Sequence, residues 1–386
     1  GYSNTVGTCN VFIGNGAGYT QGTVSGNVFI GFNAGYLNSS GIKNTFIGYL
    51  AGRNNTTGQR NTFLGYKVGF NTTVGIENTF IGYQAGFSNT SGQENMFLGK
   101  NAGYSNTTGA KNVFIGLDCG VANTTGTSNT FLGFSAGVSN TIGNNNVFIG
   151  DSAGYSNTTG TCNVFIGNES GYSNTVSGNT FIGFSAGRAN TSSANTFIGY
   201  LAGRKNVDGY SNTFVGYGVG QRNTSGYGNT FIGRLSGETS TTGINNVFCG
   251  EASGNVNTTG SDNVFIGARA GENNNIGTSN VFVGHKAGWS NVSGFGNIFV
   301  GGKAGYSETG NNKLYIHNSN TATPLIYGEF DNRIVNINGA LTLNGTNSLS
   351  PLGFKQPSAI GTVGALVGYI KMSLGGTSIR VPYYSP

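Results

Sequence analysis

Asn44-Thr45-Phe46-Ile47-Gly48 is the stretch on which the fold turns, because it recurs. With Val, Met or Ile at the second place, it returns as Asn10–Gly14, Asn27–Gly31, Asn61–Gly65 and onward to Asn297–Gly301. From Phe12 the Phe advances in nine steps of 17 residues to Phe165. Two steps of 16 follow, to Phe181 and Phe197, and then six more of 17 to Phe299. Eighteen copies at so fixed a period define a repeat architecture rather than a set of ordinary domains.

Written from the Phe as place 0, the consensus is Phe-Ile-Gly-x-x-Ala-Gly-x-x-Asn-Thr-Thr-Gly-x-x-Asn-Thr. Gly stands at place 2 and place 6 of every copy, as in Gly48 and Gly52. Such fixed glycines imply positive φ or close chain approach, and therefore corners. The Asn-Thr-Thr-Gly element, as in Asn106–Gly109, is turn chemistry. What remains is a strand of about five residues and a second short extended piece around the Ala. A 17-residue unit is too short for a strand plus a helix, and two glycine corners exclude a continuous helix. The repeats therefore predict an all-β fold: a parallel β-solenoid of about 18 coils, each strand pairing with its equivalent in the next coil.

Stacked equivalents make ladders. The Asn at place 15 (Asn10, Asn27, Asn44 and onward) brings side-chain amides within bonding distance along the axis, ~4.8 Å apart. Phe and Ile are adjacent, so they face opposite sides of the strand. With Ile and Ala (Ala17, Ala34, Ala51) assigned to the coil interior, the Phe ladder becomes an exposed stripe roughly 80–90 Å long. A monomer does not display so much apolar surface. Three chains about a threefold axis would cover it, which predicts a homotrimer with Phe46, Phe63, Phe80, Phe148 and Phe231 in the oligomer interface.

The order Asn-Thr-Phe-Ile-Gly-x-x-Ala-Gly resembles the head repeats of trimeric autotransporter adhesins, the YadA-like β-roll, whose shorter unit is of the type Asn-Ser-x-Ala-Ile-Gly-x-x-Ala. Here Phe stands where that family usually has a small residue, and the period is longer. The resemblance covers about 305 residues and implies a trimeric, cell-surface or fibre role. Taken with the segment that follows it, the chain is also similar to tail-fibre-type proteins of phages and prophages.

That segment begins at Ser307, and all five prolines lie beyond it. Asn312-Lys313-Leu314-Tyr315-Ile316 reads as a last, degenerate strand copy with Tyr for Phe. Leu325–Phe330 and Arg333–Leu343 alternate apolar and polar residues and read as strands. Residues 1–306 are thus the solenoid array, 307–350 a β neck, and 351–386 a C-terminal cap or tip. In the tip, Ala365–Leu374 and Thr377–Tyr384 flank Gly375-Gly376, a hairpin signal. Gly1 aligns with the middle of a repeat, so the natural chain is expected to begin upstream.

Composition excludes several classes. Charged residues are 8% of the chain and the net charge is +6, with Lys and Arg scattered, which argues against nucleic acid. No run of 18 apolar residues exists to insert in a membrane as a helix. Cys9 and Cys162 hold the same place nine coils apart, out of disulfide reach. Cys119 takes an Ala place and Cys249 an Ile place, and both read as small core residues. The only histidines, His285 and His317, make no catalytic or metal-ligating pattern, and no catalytic, metal or cofactor site is expected. Asp151 and Glu169 lie on adjacent coils at near-equivalent places, the one pair that invites comparison with glycosidase carboxylates. Lys43, Arg60, Glu77, Glu94 and Lys111, three places before the Phe, read as a solvated charge ladder.

Aromatics at variable places are the candidate receptor or sugar contacts: Tyr49, Tyr66 and Tyr83 at place 3, Trp289 at place 7, and Tyr383 and Tyr384 at the tip. The same rows could instead shield a neighbouring chain. The expected function is a non-enzymatic, extracellular fibre, a virion tail fibre or a bacterial cell-surface adhesin whose distal unit meets a receptor or glycan. The alternatives are a structural subunit of an extracellular filament and an ice-binding solenoid with exposed Thr ladders.

Overall fold

The computed structural model describes residues 2–4, 6–20 and 22–339, and the backbone of 366–374 and 377–384. The chain divides into two compact units, Gly1–Asn338 and Gly339–Pro386. The first unit is a parallel β-solenoid. Eighteen three-residue strands, β1 (Val11–Ile13) to β18 (Ile298–Val300), supply one strand per coil. Each pairs in parallel with its equivalent, so that Phe46 lies opposite Phe63 and Phe282 opposite Phe299. This register passes unbroken through the 16-residue steps, with Phe165 opposite Phe181 and Phe181 opposite Phe197.

The degenerate copy is the last parallel strand. Strand β19 (Lys313–Ile316) sets Tyr315 against Phe299. Strands β20 (Ile326–Glu329) and β21 (Ile334–Ile337) then fold back antiparallel. In the second unit, β22 (Leu366–Leu374) and β23 (Thr377–Tyr384) form an antiparallel pair. The Gly375-Gly376 turn and the side chains of Tyr383 and Tyr384 lie outside the described residues.

The facing of the strand is the reverse of the expectation. Phe46, Phe63, Phe80, Phe148 and Phe231 have no exposed surface and form the core together with Ala51, Ala85 and their equivalents. They are not an oligomer interface. Ile and Leu, one residue on, look outward, and Leu98 is 41% exposed. The reason lies in Gly52 and its equivalents. Gly52 has φ 55°, and a Cβ there would come 2.6 Å from the Phe46 ring of its own coil. This glycine makes a corner and also leaves the flat space that the ring fills. Phe inside and glycine beneath it are one device, and the rings then stack coil on coil at 4.7–5.0 Å. Tyr315 meets Phe299 edge-on, with 82° between planes, and ends the column.

The piece around the Ala is not extended either. Leu50, at place 4, has φ 57°, and Gly52 repeats the left-handed turn two residues on. The strand itself is three residues long because it is bounded by this turn and by a second left-handed residue at place 14, as at Arg60 (φ 57°). Cys119 lies in the core as expected, but Cys249 sits half-buried on the outward face of the strand Val247–Cys249.

Two Asn ladders finish the interior. At place 15, Asn44 Oδ1 accepts from the Asn61 backbone N–H (2.9 Å), and Asn44 Nδ2 donates to the Gly58 carbonyl (2.8 Å). At place 9, Asn55 Nδ2 donates to Asn38 Oδ1 (2.6 Å) and to Gly58 (3.1 Å). Gly58 can be nothing larger, because a Cβ would meet Asn55 Oδ1 at 2.3 Å and the Gly75 carbonyl at 2.5 Å. Among the described residues, eight buried side-chain polar atoms lack a partner; seven lie in the place-9 ladder where it breaks, and one, Asn179 Nδ2, in the place-15 ladder beside such a break. Thr72 replaces Asn and leaves its own Oγ1 and Asn55 Oδ1 unpaired. Ser240 replaces Asn and leaves its Oγ, Asn223 Oδ1 and Asn257 Oδ1 unpaired. The other three, Asn157 Oδ1, Asn174 Nδ2 and Asn179 Nδ2, lie at the first 16-residue coil.

Two stability changes follow from this interior. Phe148→Ala removes one ring from the column and is expected to cost about 3–5 kcal/mol in urea unfolding; an outward-facing Phe would cost within about 0.5 kcal/mol. Thr72→Asn restores the amide chain across two coils and is expected to raise stability by roughly 1–3 kcal/mol, the cost of leaving such groups unpaired. An unchanged or lower melting temperature would show that Thr72 Oγ1 and Asn55 Oδ1 carry no such cost.

Candidate interaction surface

Four rows run along the outside of the rod, fixed by place in the coil. Place 16 carries Thr, Val, Met or Ile, and place 1 carries Ile, Leu, Val or, once, Cys249. Both flank the inward Phe on the outer face of the strand. Leu64, Met96, Leu132 and Ile232 are each more than 40% exposed; the place-1 row is apolar along the solenoid, and beside it place 16 alternates stretches of Thr with Val, Met and Ile.

Place 3 lies beyond Gly at place 2. Phe32, Tyr49, Tyr66 and Tyr83 stack there at 5.0–5.4 Å with interplanar angles of 12° or less. Phe184, Tyr200 and Tyr217 make a second run. Both faces of Tyr49 and Tyr66 are therefore occupied by neighbouring rings. These residues present edges and hydroxyls outward, not free faces on which a sugar ring could lie. Sequence reasoning placed the row correctly but missed this self-stacking. The signal was available in the ~4.8 Å coil spacing, which is within the range at which aromatic rings pack on one another.

Place 7 carries a longer column. Tyr2, Tyr19 and Tyr36 stack at 4.8–5.2 Å, and Phe70, Phe87 and Tyr104 at 5.1–5.3 Å. Between them the Arg53 guanidinium lies 5.4 Å from the Tyr36 ring and 5.9 Å from the Phe70 ring. A planar cation thus takes the place of one ring without breaking the column. Arg188 continues the Tyr155–Tyr172 stack in the same way, 5.1 Å from Tyr172. Trp289 packs on Tyr306 at 5.0 Å and its Nε1 donates to Glu272 Oε2 (2.9 Å). Trp289 is half-buried, between Tyr306 on one side of the column and Glu272 on the other.

Charged groups pair across coils. Arg60 meets Glu77 at 2.8 Å and Arg234 meets Glu251 at 2.8 Å, each pair about half exposed and so worth little. Glu169 is held by Arg188 Nε at 2.7 Å, while Asp151 accepts from Ser152 Oγ. The two carboxylates therefore face different partners. His285 is exposed on the place-3 row, and His317 Nδ1 accepts from the Leu325 N–H (3.3 Å). Among the described residues no three His, Cys, Asp or Glu side chains converge as a metal site would need, and no helix is long and apolar enough to cross a membrane. Cys119 donates to the Phe131 carbonyl, and burial pushes its thiol up to about 12. No family model, curated protein or solved structure matches the chain.

The meander after β18 has its own polar cluster. Lys313 Nζ lies 3.0 Å from Glu329 Oε1, and Tyr315 donates to Glu308 Oε2 (2.7 Å). Hydrogen bonds from Tyr327, then Asn332 and Lys313, hold the Glu329 carboxyl at about 2. A carboxyl depressed in the folded state contributes stability above its ordinary value of 4.5, and that contribution is lost as pH falls toward 2. Acidification from pH 5 to 2 is therefore expected to lower amide protection, measured against the intrinsic exchange rate at each pH, in Ile326–Glu329 more than in the coils. Glu329→Gln should abolish the difference, and an acid response unchanged by Glu329→Gln would assign the effect elsewhere.

Proposed function

We propose that this chain is a non-enzymatic fibre protein, a homotrimer whose solenoids lie side by side as a stiff shaft on their outward aliphatic faces. The observation that carries the reading is the outward face formed by places 16 and 1, whose place-1 side chain is apolar and half-buried or exposed in every coil. A standard interface needs about 800 Å² from each partner. Spread over eighteen coils, that is roughly 45 Å² per coil, within reach of one aliphatic side chain left two-fifths exposed together with its neighbour. Commensurability names the partner. A band that repeats at ~4.8 Å is matched along its whole length only by a surface with the same repeat, and another copy of this chain has one.

The resemblance to YadA-like heads and phage-type tail fibres supports an extracellular setting, on a virion or a bacterial surface. The distal C-terminal unit is then the part that reaches a receptor or glycan. The edges and hydroxyls of the Tyr49–Tyr66–Tyr83 row, and the indole of Trp289, are secondary contacts. Ice binding has less support. The hydroxyls of Thr56, Thr73, Thr90, Thr107, Thr124 and Thr141 donate to the next coil's carbonyl and are used up within the rod.

The test is the mass in solution, by light scattering at micromolar concentration. The full chain is expected at three times its 39.7 kDa. Leu98→Asp with Leu132→Asp, on the outward face, is expected to give monomers with an unchanged circular dichroism spectrum. Tyr49→Ser is expected to leave the trimer intact. A monomeric wild type removes the reading, and open-ended growth of the wild type would replace it with the filament.

A further inference from the structure

We infer that the rod contains a built-in bending joint at its two short coils, 165–180 and 181–196, where successive coils stay tied on the strand side and lose their ties at the tip of the turn. Relative to the other coils, each short coil lacks one residue, and the missing one is the turn glycine at place 12. Asn174-Thr175-Val176-Ser177 stands where Asn157-Thr158-Thr159-Gly160 stands one coil earlier, and Asn190-Thr191-Ser192-Ser193 follows the same pattern.

That glycine is a node of the axial bonding. In several regular coils its N–H donates to the carbonyl of the next coil, as Gly58 does to Thr73 and Gly109 to Thr124. Its carbonyl accepts both Asn ladders, as Gly109 does from Asn95 and Asn106. Without it the tip of the turn loses its ties, while the arm beyond keeps Thr161 N–H to Ser177 Oγ (2.9 Å), Gly178 N–H to the Thr161 carbonyl (3.0 Å) and Asn163 Nδ2 to the Val176 carbonyl (2.8 Å). The Thr-to-Thr backbone bonds run from Thr56 through Thr73, Thr90, Thr107, Thr124 and Thr141 to Thr158, stop, and resume from Thr191 to Val207. At the same step Asn157 Oδ1 and Asn174 Nδ2, partners in the regular ladder, are both buried and unpaired, as is Asn179 Nδ2.

The strand side is intact over the same coils. The pairings of Val164–Ile166 with Thr180–Ile182, and of those with Thr196–Ile198, keep full register. The rings of Phe165, Phe181 and Phe197 stack at 5.0 and 4.9 Å, and Glu169 and Arg188 clamp neighbouring coils at 2.7 Å. The other two ladder breaks behave differently. At Thr72 and Ser240 only side-chain bonds are lost, and Thr56, Thr224 and their neighbours keep the backbone bonds to Thr73 and Thr241. Only at the short coils are the place-9 amide bond and the backbone bond beside it lost together, while the place-15 amides stay linked through Asn163, Asn179 and Asn195. Opening there strains neither the core column nor the strand ladder, so the rod bends with its turn side outermost.

Amide exchange of the full chain tests this, with a variant that carries one Gly inserted after Val176 and one after Ser192 and so regains the consensus spacing. In the wild type, the amides of 158–160 and 175–177 are expected to exchange about tenfold or more faster than those of 107–109 and 124–126, with strand amides 164–166 and 180–182 protected like the other strands. The insertion variant is expected to bring the turn peptides back to the rate of the regular coils. Equal turn exchange in the wild type overturns the joint. So does fast exchange of the strands as well as the turns, which would mean whole-coil unfolding. Should the insertions prevent folding, electron micrographs of wild-type rods decide: a bend recurring at one point between the nine-step and six-step stretches supports the joint, and uniformly straight rods refute it.

Discussion

Each Phe ring lies over the glycine six places further along its own coil, and the rest of the solenoid depends on that contact. The ring needs a flat space that no Cβ may enter, and the chain needs a left-handed turn that glycine adopts without strain. One residue meets both demands in every coil. Once the ring is inside, the alternation of the strand sends the neighbouring Ile or Leu out. The core is then a single file of rings beside a file of Ala, too narrow for a second large side chain, and the remaining interior is left to Asn amides.

Those amides explain why a rod with so little aliphatic core is well determined. A buried amide is costly unless every donor and acceptor is met. In this chain the partners are the same groups one coil away, so each Asn is satisfied only when the coil above it is in place and in register. The pattern of exceptions supports this. Unpaired atoms occur where an Asn is replaced, at Thr72 and Ser240, or where the turn glycine that receives the amides is missing. Downstream of Ser240 the amide chain also runs the other way, with Asn257 Nδ2 pointing toward Asn274 Oδ1 at 3.4 Å.

Much of this was legible in the residues. The period gave one coil per repeat and parallel pairing of equivalents, and Tyr315 in place of Phe marked the last parallel strand. The facing was not legible, because glycine at place 6 was read only as a corner and not also as the bed of a ring. Nor could the left-handed residues at places 4 and 14 be seen, since Leu50, Lys67, Glu77 and Arg60 there have no preference for that region. At the candidate surface, the aromatic rows were in view but their mutual stacking was not, and Arg53 gave no sign that it would stand in for a ring. Local composition identifies what stands at a place. Which neighbour it meets depends on the coil above and below, which no single repeat contains.

In-register pairing of each coil with its own likeness has a consequence for how such a molecule changes over generations. A duplicated or excised 17-residue unit meets the same surfaces above and below as the unit it joins or replaces. Unequal recombination can therefore lengthen or shorten the rod in quanta of ~4.8 Å while leaving both of its ends as they were. Reach becomes a trait counted in whole coils, set by copy number in the gene and adjustable without any new packing problem to solve.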